Sequence, residues 1–273
     1  MQYTQHTGYT RYAKACNYMI TLAFANEKGG VGKSMSCLCV GYALLQRGYT
    51  VLWVDADQQG SLTQSFRYAP PAHLTLGPLL LGHAQPDIVV QEVTAGGYLI
   101  PAGPGLNDAA QKRAGLPGSE LVLRKLLAAA SGFDFCLIDT PGSLGLLTTA
   151  ALTAANYVFI PAQPQAFGIQ GLVALIANCR LVQDGLNPDL KLGGLFYAMY
   201  NRNSRELVLK DLAGLIEGHK DLGPLVMRQT VRKNTRLEQA VTEKQNIFEL
   251  DPTSPGATDY TLLTGEILAR IED

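Results

Sequence analysis

Lys28-Gly29-Gly30-Val31-Gly32-Lys33-Ser34, set directly behind the apolar run Met19-Ile20-Thr21-Leu22-Ala23-Phe24-Ala25, is the stretch that decides the fold. A buried strand that runs into a glycine loop and then into Lys-Ser at a helix start makes a phosphate cradle. The glycines let successive backbone N–H groups turn inward on an anion, and the helix that follows adds its positive end. Lys33 is placed to neutralise the β- and γ-phosphates, the Ser34 hydroxyl is a natural magnesium ligand, and Met35 closes the run of cradle residues. Gly29, Gly30, Val31 and Gly32 supply the backbone, so the chemistry expected here is that of a nucleoside triphosphate.

The strict Walker A pattern wants glycine where this chain has Glu27, so the loop is a variant. Its second lysine, Lys28, has no obvious task in a pocket that already holds Lys33, and could reach a neighbour's nucleotide. The run Asn26-Glu27-Lys28-Gly29-Gly30-Val31-Gly32-Lys33-Ser34 resembles the deviant Walker A box of the ParA/MinD family of P-loop ATPases. The resemblance implies that Lys28 crosses a nucleotide-sandwich homodimer to touch the partner's phosphates, and it counts Lys28 with Lys33 among the catalytic residues.

Two further boxes fit. Val54-Asp55-Ala56-Asp57-Gln58-Gln59-Gly60-Ser61 puts two carboxylates behind the second strand, where a magnesium-holding or water-handling acid belongs. It resembles the family's second box, and by that match Asp57 positions or polarises the attacking water, while Gln58 and Ser61 depart from the usual proline and asparagine. Phe133-Asp134-Phe135-Cys136-Leu137-Ile138-Asp139-Thr140-Pro141-Gly142 reads as a Walker B strand. Ser34, Asp55 and Asp139 are the expected magnesium set, and the Thr-Pro-Gly turn can sense the γ-phosphate as a switch. Each acid, taken alone, could simply cap the next helix; the three boxes together make that reading the weaker one.

Strand-like runs recur at residues 19–25, 50–55, 98–101, 133–139, 157–161 and 192–199, with helical patterns at 32–47, 119–131, 168–184, 206–217, 235–244 and 258–272. This alternation predicts an α/β fold, a mostly parallel twisted sheet with helices on both faces, and hence a P-loop NTPase with a deviant Walker A loop. Segment 70–97, rich in Pro, Gly and His, resists assignment beyond a short helix around 76–81. Softer matches extend the resemblance over nearly all of the chain after Met19. Among them, Ala198-Met199-Tyr200-Asn201 resembles a strand end that lies by the adenine, which nominates Asn201 as a nucleotide contact, and the C-terminal runs resemble the small ParA/Soj branch.

The 273 residues accommodate one large domain, read as 19–273. Residues 1–18 are either a partner-binding arm or a poorly ordered extension, too short for a helix-turn-helix domain. The five cysteines lack paired zinc spacing and read as reduced thiols, the four histidines are scattered, and no transition metal is expected. No stretch is long and apolar enough to span a bilayer, and there is no signal-peptide core, so a cytoplasmic protein is expected.

With a formal net charge of −1, any nucleic-acid contact must come from a local patch. Arg228, Arg232, Lys233 and Arg236 form one, next to a helix whose start is read as a capping box, Thr235-x-x-Glu238. Cations at a positive helix end call for an anion, and a phosphate backbone is a sensible one; a solvated charged turn is the plainer alternative. The last helix ends Arg270-Ile271-Glu272-Asp273, too acidic for a membrane helix. The resemblance implies an ATP- and magnesium-dependent, nucleoid-associated partition ATPase. It would dimerise on ATP, bind nonspecific duplex DNA and be released when a ParB-like or cargo adaptor stimulates hydrolysis. Positioning of a protein cargo, or spatial regulation of the membrane-associated MinD kind, are the alternatives.

Overall fold

The computed structural model describes residues 18–164, 168–200 and 207–272. Seven strands, β1 (Ile20–Phe24), β2 (Val51–Asp55), β3 (Gln91–Thr94), β4 (Gly97–Ile100), β5 (Phe135–Asp139), β6 (Tyr157–Ala162) and β7 (Lys191–Tyr197), form one sheet in the order β3-β4-β2-β5-β1-β6-β7. Every pairing is parallel except β3 with β4. The expected sheet is therefore present, with its six foreseen strands at their foreseen places.

β1, β2, β5 and β6 are buried along their whole length, which is why they read as near-continuous apolar runs rather than alternating ones. Alternation still sorts their side chains between the two faces. Ile20, Leu22 and Phe24 pack with Trp53, Phe135 and Leu137 on one side. That side is covered by α1 (Lys33–Gln46), by α6 (Thr235–Thr242) and by α7 (Pro255–Glu272). Val54, Ile100 and Ile138 face the other way, against α2 (Leu106–Ala114) and α3 (Leu146–Ala154). Ala23, Val158, Ile160 and Leu195 do likewise against α4 (Gly168–Gly185) and α5 (Leu207–Glu217).

β1 lies between β5 and β6, so the chain leaves it toward β2 on one side while the connection through α3 carries it to β6 on the other. Loops that follow adjacent strands thus diverge at the carboxyl end of β1, which opens a crevice there. The glycine loop occupies that point.

Segment 70–97 holds the helix Leu76–Leu80, a further turn Pro86–Val89 and β3. β3 is short, mostly partly exposed and polar, and its antiparallel pairing with β4 breaks register between Glu92 and Thr94. It is a bulged edge strand, blunted in the way that edges commonly are, and Gln-Glu-Val-Thr carries no apolar signal. The helical pattern at 119–131 resolves into a 3-10 turn, Ser119–Leu121, and the helix Val122–Ala128. α6 stops at Thr242, and α7 starts at Pro255, three residues before its expected start, because proline is well suited to a first helical turn. Residues 1–17, and with them Cys16, lie outside the described residues; Cys37, Cys39, Cys136 and Cys179 are buried and unpaired. No described helix is long and apolar enough to cross a membrane.

α1 sits close on β2 because Gly41 leaves room for the Trp53 ring, whose Nε1–H donates to the Cys37 carbonyl at 3.0 Å. A methyl at position 41 would overlap that ring. Gly41→Ala should therefore destabilise the protein by about 1–3 kcal/mol. Gly265→Ala, in open space within α7, should stabilise by roughly 0.5–1 kcal/mol. Urea unfolding of both variants checks the pair, and equal midpoints would contradict the packing described.

Candidate nucleotide site

The loop between β1 and α1 is held by its neighbours before any ligand is considered. Asn26, buried at the end of β1, donates through Nδ2 to the Pro161 carbonyl of β6 at 2.7 Å, and its Oδ1 accepts the Lys28 N–H at 2.9 Å. Gly30 and Gly32 have φ of 72° and 91°, left-handed values that a residue with a Cβ adopts at a cost. Gly29 and Gly30 border open space. Gly32 is the residue before the first turn of α1, whose N-terminal N–H groups have no intrahelical partner. Lys33 Nζ donates to the Lys28 carbonyl at 3.0 Å, which folds the side chain back over its own loop. Burial lowers the Lys33 pKa, while the charges of Asp139 and Asp57 pull it back up.

The second box is built around Asp55, fully buried at the end of β2. Its Oδ2 accepts from the Thr63 N–H and the Thr63 hydroxyl, both at 2.7 Å, and its Oδ1 accepts from the Asp57 N–H at 3.2 Å. Both oxygens are thus engaged by the chain. Asp57 is half-buried on the turn beyond, where its carboxylate accepts the Gln59 N–H at 3.0 Å.

Asp139 differs. It is fully buried at the end of β5, and neither of its oxygens has a hydrogen-bond partner of good geometry. Parallel register puts Phe24, Asp55 and Asp139 at one level of three adjacent strands. Burial raises the Asp139 carboxyl well above the usual carboxylate range and the Asp55 charge raises it further, with Ser34 and Lys33 opposing. Burial likewise raises the Asp55 carboxyl to about 6, its hydrogen bonds from Thr63 and Asp57 holding it back. An orphaned buried carboxylate beside the Ser34 hydroxyl is a donor set that fits a hard divalent cation shared with phosphates and water. Of the three residues expected to hold magnesium, Asp139 is the one whose side-chain oxygens lack a hydrogen bond of good geometry. Asp55 already accepts three hydrogen bonds from its own loop, two on Oδ2 and one on Oδ1.

The turn after β5 closes on the cradle. Thr140 donates through its backbone N–H and its hydroxyl to the Phe24 carbonyl, at 3.3 and 2.9 Å. A Cβ at Gly142 would lie 3.4 Å from the Glu27 carbonyl oxygen and 3.7 Å from Lys33 Nζ. On the opposite side Gln163 Nε2 reaches the Gly30 carbonyl at 3.4 Å, and Met199 stands at φ 53° where the chain leaves β7. Asn201 lies outside the described residues. Sequence reading overlooked Thr63, which carries no motif of its own, and Tyr260, whose buried hydroxyl meets Ser36 Oγ at 3.1 Å and ties α7 to α1.

Two cations of the basic patch are paired within the chain. Arg232 makes a bidentate pair with Asp259 of α7, and Arg236 lies 3.2 Å from Asp251. The anion that cations at this helix start call for is thus supplied within the chain. Arg228, Lys233 and Arg236 are exposed. The N-cap of α6 is Asn234, whose side chain accepts the Arg236 N–H at 2.8 Å; Thr235 is already the first helical residue, so the capping box expected there is not the cap that forms.

Residues 19–192 match the family model described as an AAA domain. The chromosome-partitioning ATPase Soj of Treponema pallidum is 36% identical over 254 residues, 92% of this chain and 97% of that protein. The chromosome partitioning protein ParA of Caulobacter vibrioides is 32% identical over 266 residues, 95% of this chain and 97% of the relative. Among solved structures, cobyrinic acid a,c-diamide synthase from Mycobacterium smegmatis, with bound ATP analog and magnesium, superposes with a TM-score of 0.81. It is 30% identical, and the match covers 94% of this chain and 97% of that one. The chain belongs to the ParA/MinD family of chromosome partition ATPases.

The raised carboxyls carry a sign. Between about pH 4 and 6 the folded protein holds a proton on Asp55 that the unfolded chain has released. The nucleotide-free protein should therefore lose stability as pH rises from about 4 to 6, on the order of 2–3 kcal/mol from Asp55, and regain roughly half of it on acidification from 7 to 5. Asp139→Asn should flatten that slope and raise the melting temperature at pH 8 in the absence of nucleotide. Calorimetry across pH with EDTA present checks both, and a variant less stable than the parent at pH 8 contradicts the charge argument.

Proposed function

We propose that this member of the ParA/MinD family is a DNA-partition ATPase that dimerises on ATP, coats duplex DNA without sequence preference and is released when a ParB-like or cargo adaptor stimulates hydrolysis. The observation that carries the ATPase part is the fully buried Asp139 carboxyl, without a hydrogen bond of good geometry, at the mouth of a glycine cradle that also presents Lys33 and Ser34. The names of the Soj and ParA relatives support the partition role.

The chain's own residues divide the work. N–H groups of residues 29–35 wrap the phosphates, with the start of α1 as the positive end. Lys33 leaves the Lys28 carbonyl for the β- and γ-phosphate oxygens, a charge-assisted contact about twice as strong as the neutral one it replaces. Magnesium would be held by Ser34 and Asp139, and when bound supplies charge neutralisation on the phosphates. Asp57 orients the attacking water and accepts its hydrogen bond. Lys28, exposed at the head of the loop, reaches the partner's phosphates across the dimer. Arg228 and Lys233 carry the DNA contact, while Arg232 and Arg236 hold the surface that displays them.

Loss of the Lys33 ammonium should cost ATP affinity by roughly 10- to 100-fold, the worth of a hydrogen bond to a charged group. Asp57→Ala should bind ATP normally, turn over at least ~100-fold more slowly and accumulate dimer, whereas Lys28→Ala should bind ATP and stay monomeric. Titration calorimetry, phosphate release and light scattering separate the three. Wild-type turnover by Asp57→Ala would make that residue structural.

The paired Arg228→Glu, Lys233→Glu variant should still dimerise with ATP yet bind all duplex sequences more weakly, with a shallower dependence on salt. Arg232→Glu is the poorer probe, because it also breaks the Asp259 pair. Mobility shifts with ATP, with ADP and without nucleotide report the outcome. Equal affinity in all three states, or no loss on charge reversal, rejects this surface as the DNA site and favours a protein cargo.

A further inference from the structure

We infer that Thr63, a residue outside every nucleotide motif of the chain, is the positioning residue that sets Asp57 for the attacking water. The inference rests on the reading of Asp57 given under Proposed function. Thr63 is buried two residues into the short helix Ser61–Gln64, and its hydroxyl is used in both directions. It donates to Asp55 Oδ2 at 2.7 Å and accepts the Ala102 N–H at 2.9 Å. The Thr63 N–H supplies a second bond to the same carboxylate oxygen, also at 2.7 Å.

These contacts close the second box into a ring. Asp55 Oδ1 holds the Asp57 N–H, the Asp57 carbonyl accepts the Gly60 N–H at 2.9 Å, and Gly60, at φ 64°, turns the chain into the helix that carries Thr63. The Ala56 N–H donates to the Asp139 carbonyl at 2.9 Å, so the ring is also tied to β5. Asp57 itself contributes one side-chain acceptor to this arrangement, from Gln59. Its place relative to the cradle is therefore set through its backbone, and the backbone is set by Asp55. Asp55, in turn, is oriented by Thr63: a lone carboxylate at the end of a strand can rotate, and a donor pair on one oxygen leaves the other directed at Asp57. Ala102, just beyond β4, gives the hydroxyl its own fixed bearing, so the strand on the far side of β2 is what the loop is levelled against.

A misplacement of about an ångström in a group that orients a reactant costs on the order of a hundredfold in rate while leaving ground-state binding alone. Thr63→Val keeps the shape and removes the hydroxyl, so it should lower kcat for ATP ten- to a hundredfold with magnesium present. KM and the calorimetric affinity for ATP should stay within about threefold, because the cradle residues are untouched. Thr63→Ser keeps the hydroxyl and should return kcat to within about threefold of the parent. A merely structural role would not separate kcat from affinity in this way.

Because Thr63 acts through Asp57, its loss should add nothing to that of Asp57: the double variant Asp57→Ala, Thr63→Val should turn over no more slowly than Asp57→Ala alone. Thr63→Ala serves if the valine variant does not fold. A hydroxyl-less variant with the parent's kcat, or a loss that multiplies with that of Asp57→Ala, overturns the role of Thr63 and leaves the reading of Asp57 standing. Parental turnover by Asp57→Ala overturns that reading and this one together.

Discussion

Two carboxylates with no exposure to water stand side by side at the ends of neighbouring strands, and much of the site is arranged around that fact. Parallel register brings them level, so neither can be moved away from the other without shifting the sheet. A protein selected for stability alone would not keep such a pair, since both groups are desolvated and the Asp55 charge raises the Asp139 carboxyl further. The chain settles the two differently. Asp55 is given three donors from within its own loop, and Asp139 is left without a well-formed bond. One acid is held by its own loop, and the lone pairs of the other are left open. That division, more than the presence of two aspartates, is what distinguishes the two acids.

The central architecture was legible because its signals are local. Buried parallel strands announce themselves as apolar runs, and a glycine loop between strand and helix is a spacing pattern. Elements invisible in the sequence lack such signals. β3 is polar and lies at an edge, where its residues face water on most sides and need no pattern. α3, Leu-Leu-Thr-Thr-Ala-Ala-Leu-Thr-Ala, is apolar nearly all round, so it has no stripe to reveal its period. Thr63 was unreadable for another reason: its role is a hydroxyl shared between residues 55 and 102, a separation that no window along the chain spans.

Charge was the property least well read from sequence. Arg228, Arg232, Lys233 and Arg236 look alike as a run, yet two of them meet carboxylates at positions 259 and 251 once the chain is folded. A cation beside a helix start needs an anion, and Asp259 and Asp251 supply it from within the protein. Asp259 is buried and presents both oxygens to Arg232, a planar fork on a planar acceptor, so this arginine fastens α7 to the segment leading into α6. A basic cluster is thus part fastening and part display, and only the folded pairing tells which residue is which.

The cradle is bonded to nearly every strand end around it, which decides how a change in one loop reaches the others. Asn26 ties its first turn to β6, Thr140 ties the turn after β5 to the end of β1, and Gln163 touches Gly30 from the far side. Meanwhile the Lys33 ammonium is spent on a carbonyl of its own loop, a neutral acceptor that an anionic phosphate outbids. The carbonyl belongs to Lys28, the residue whose side chain stands exposed at the head of the loop. The two lysines of this variant loop are thus joined through one backbone oxygen, the side chain of the buried one resting on the main chain of the exposed one.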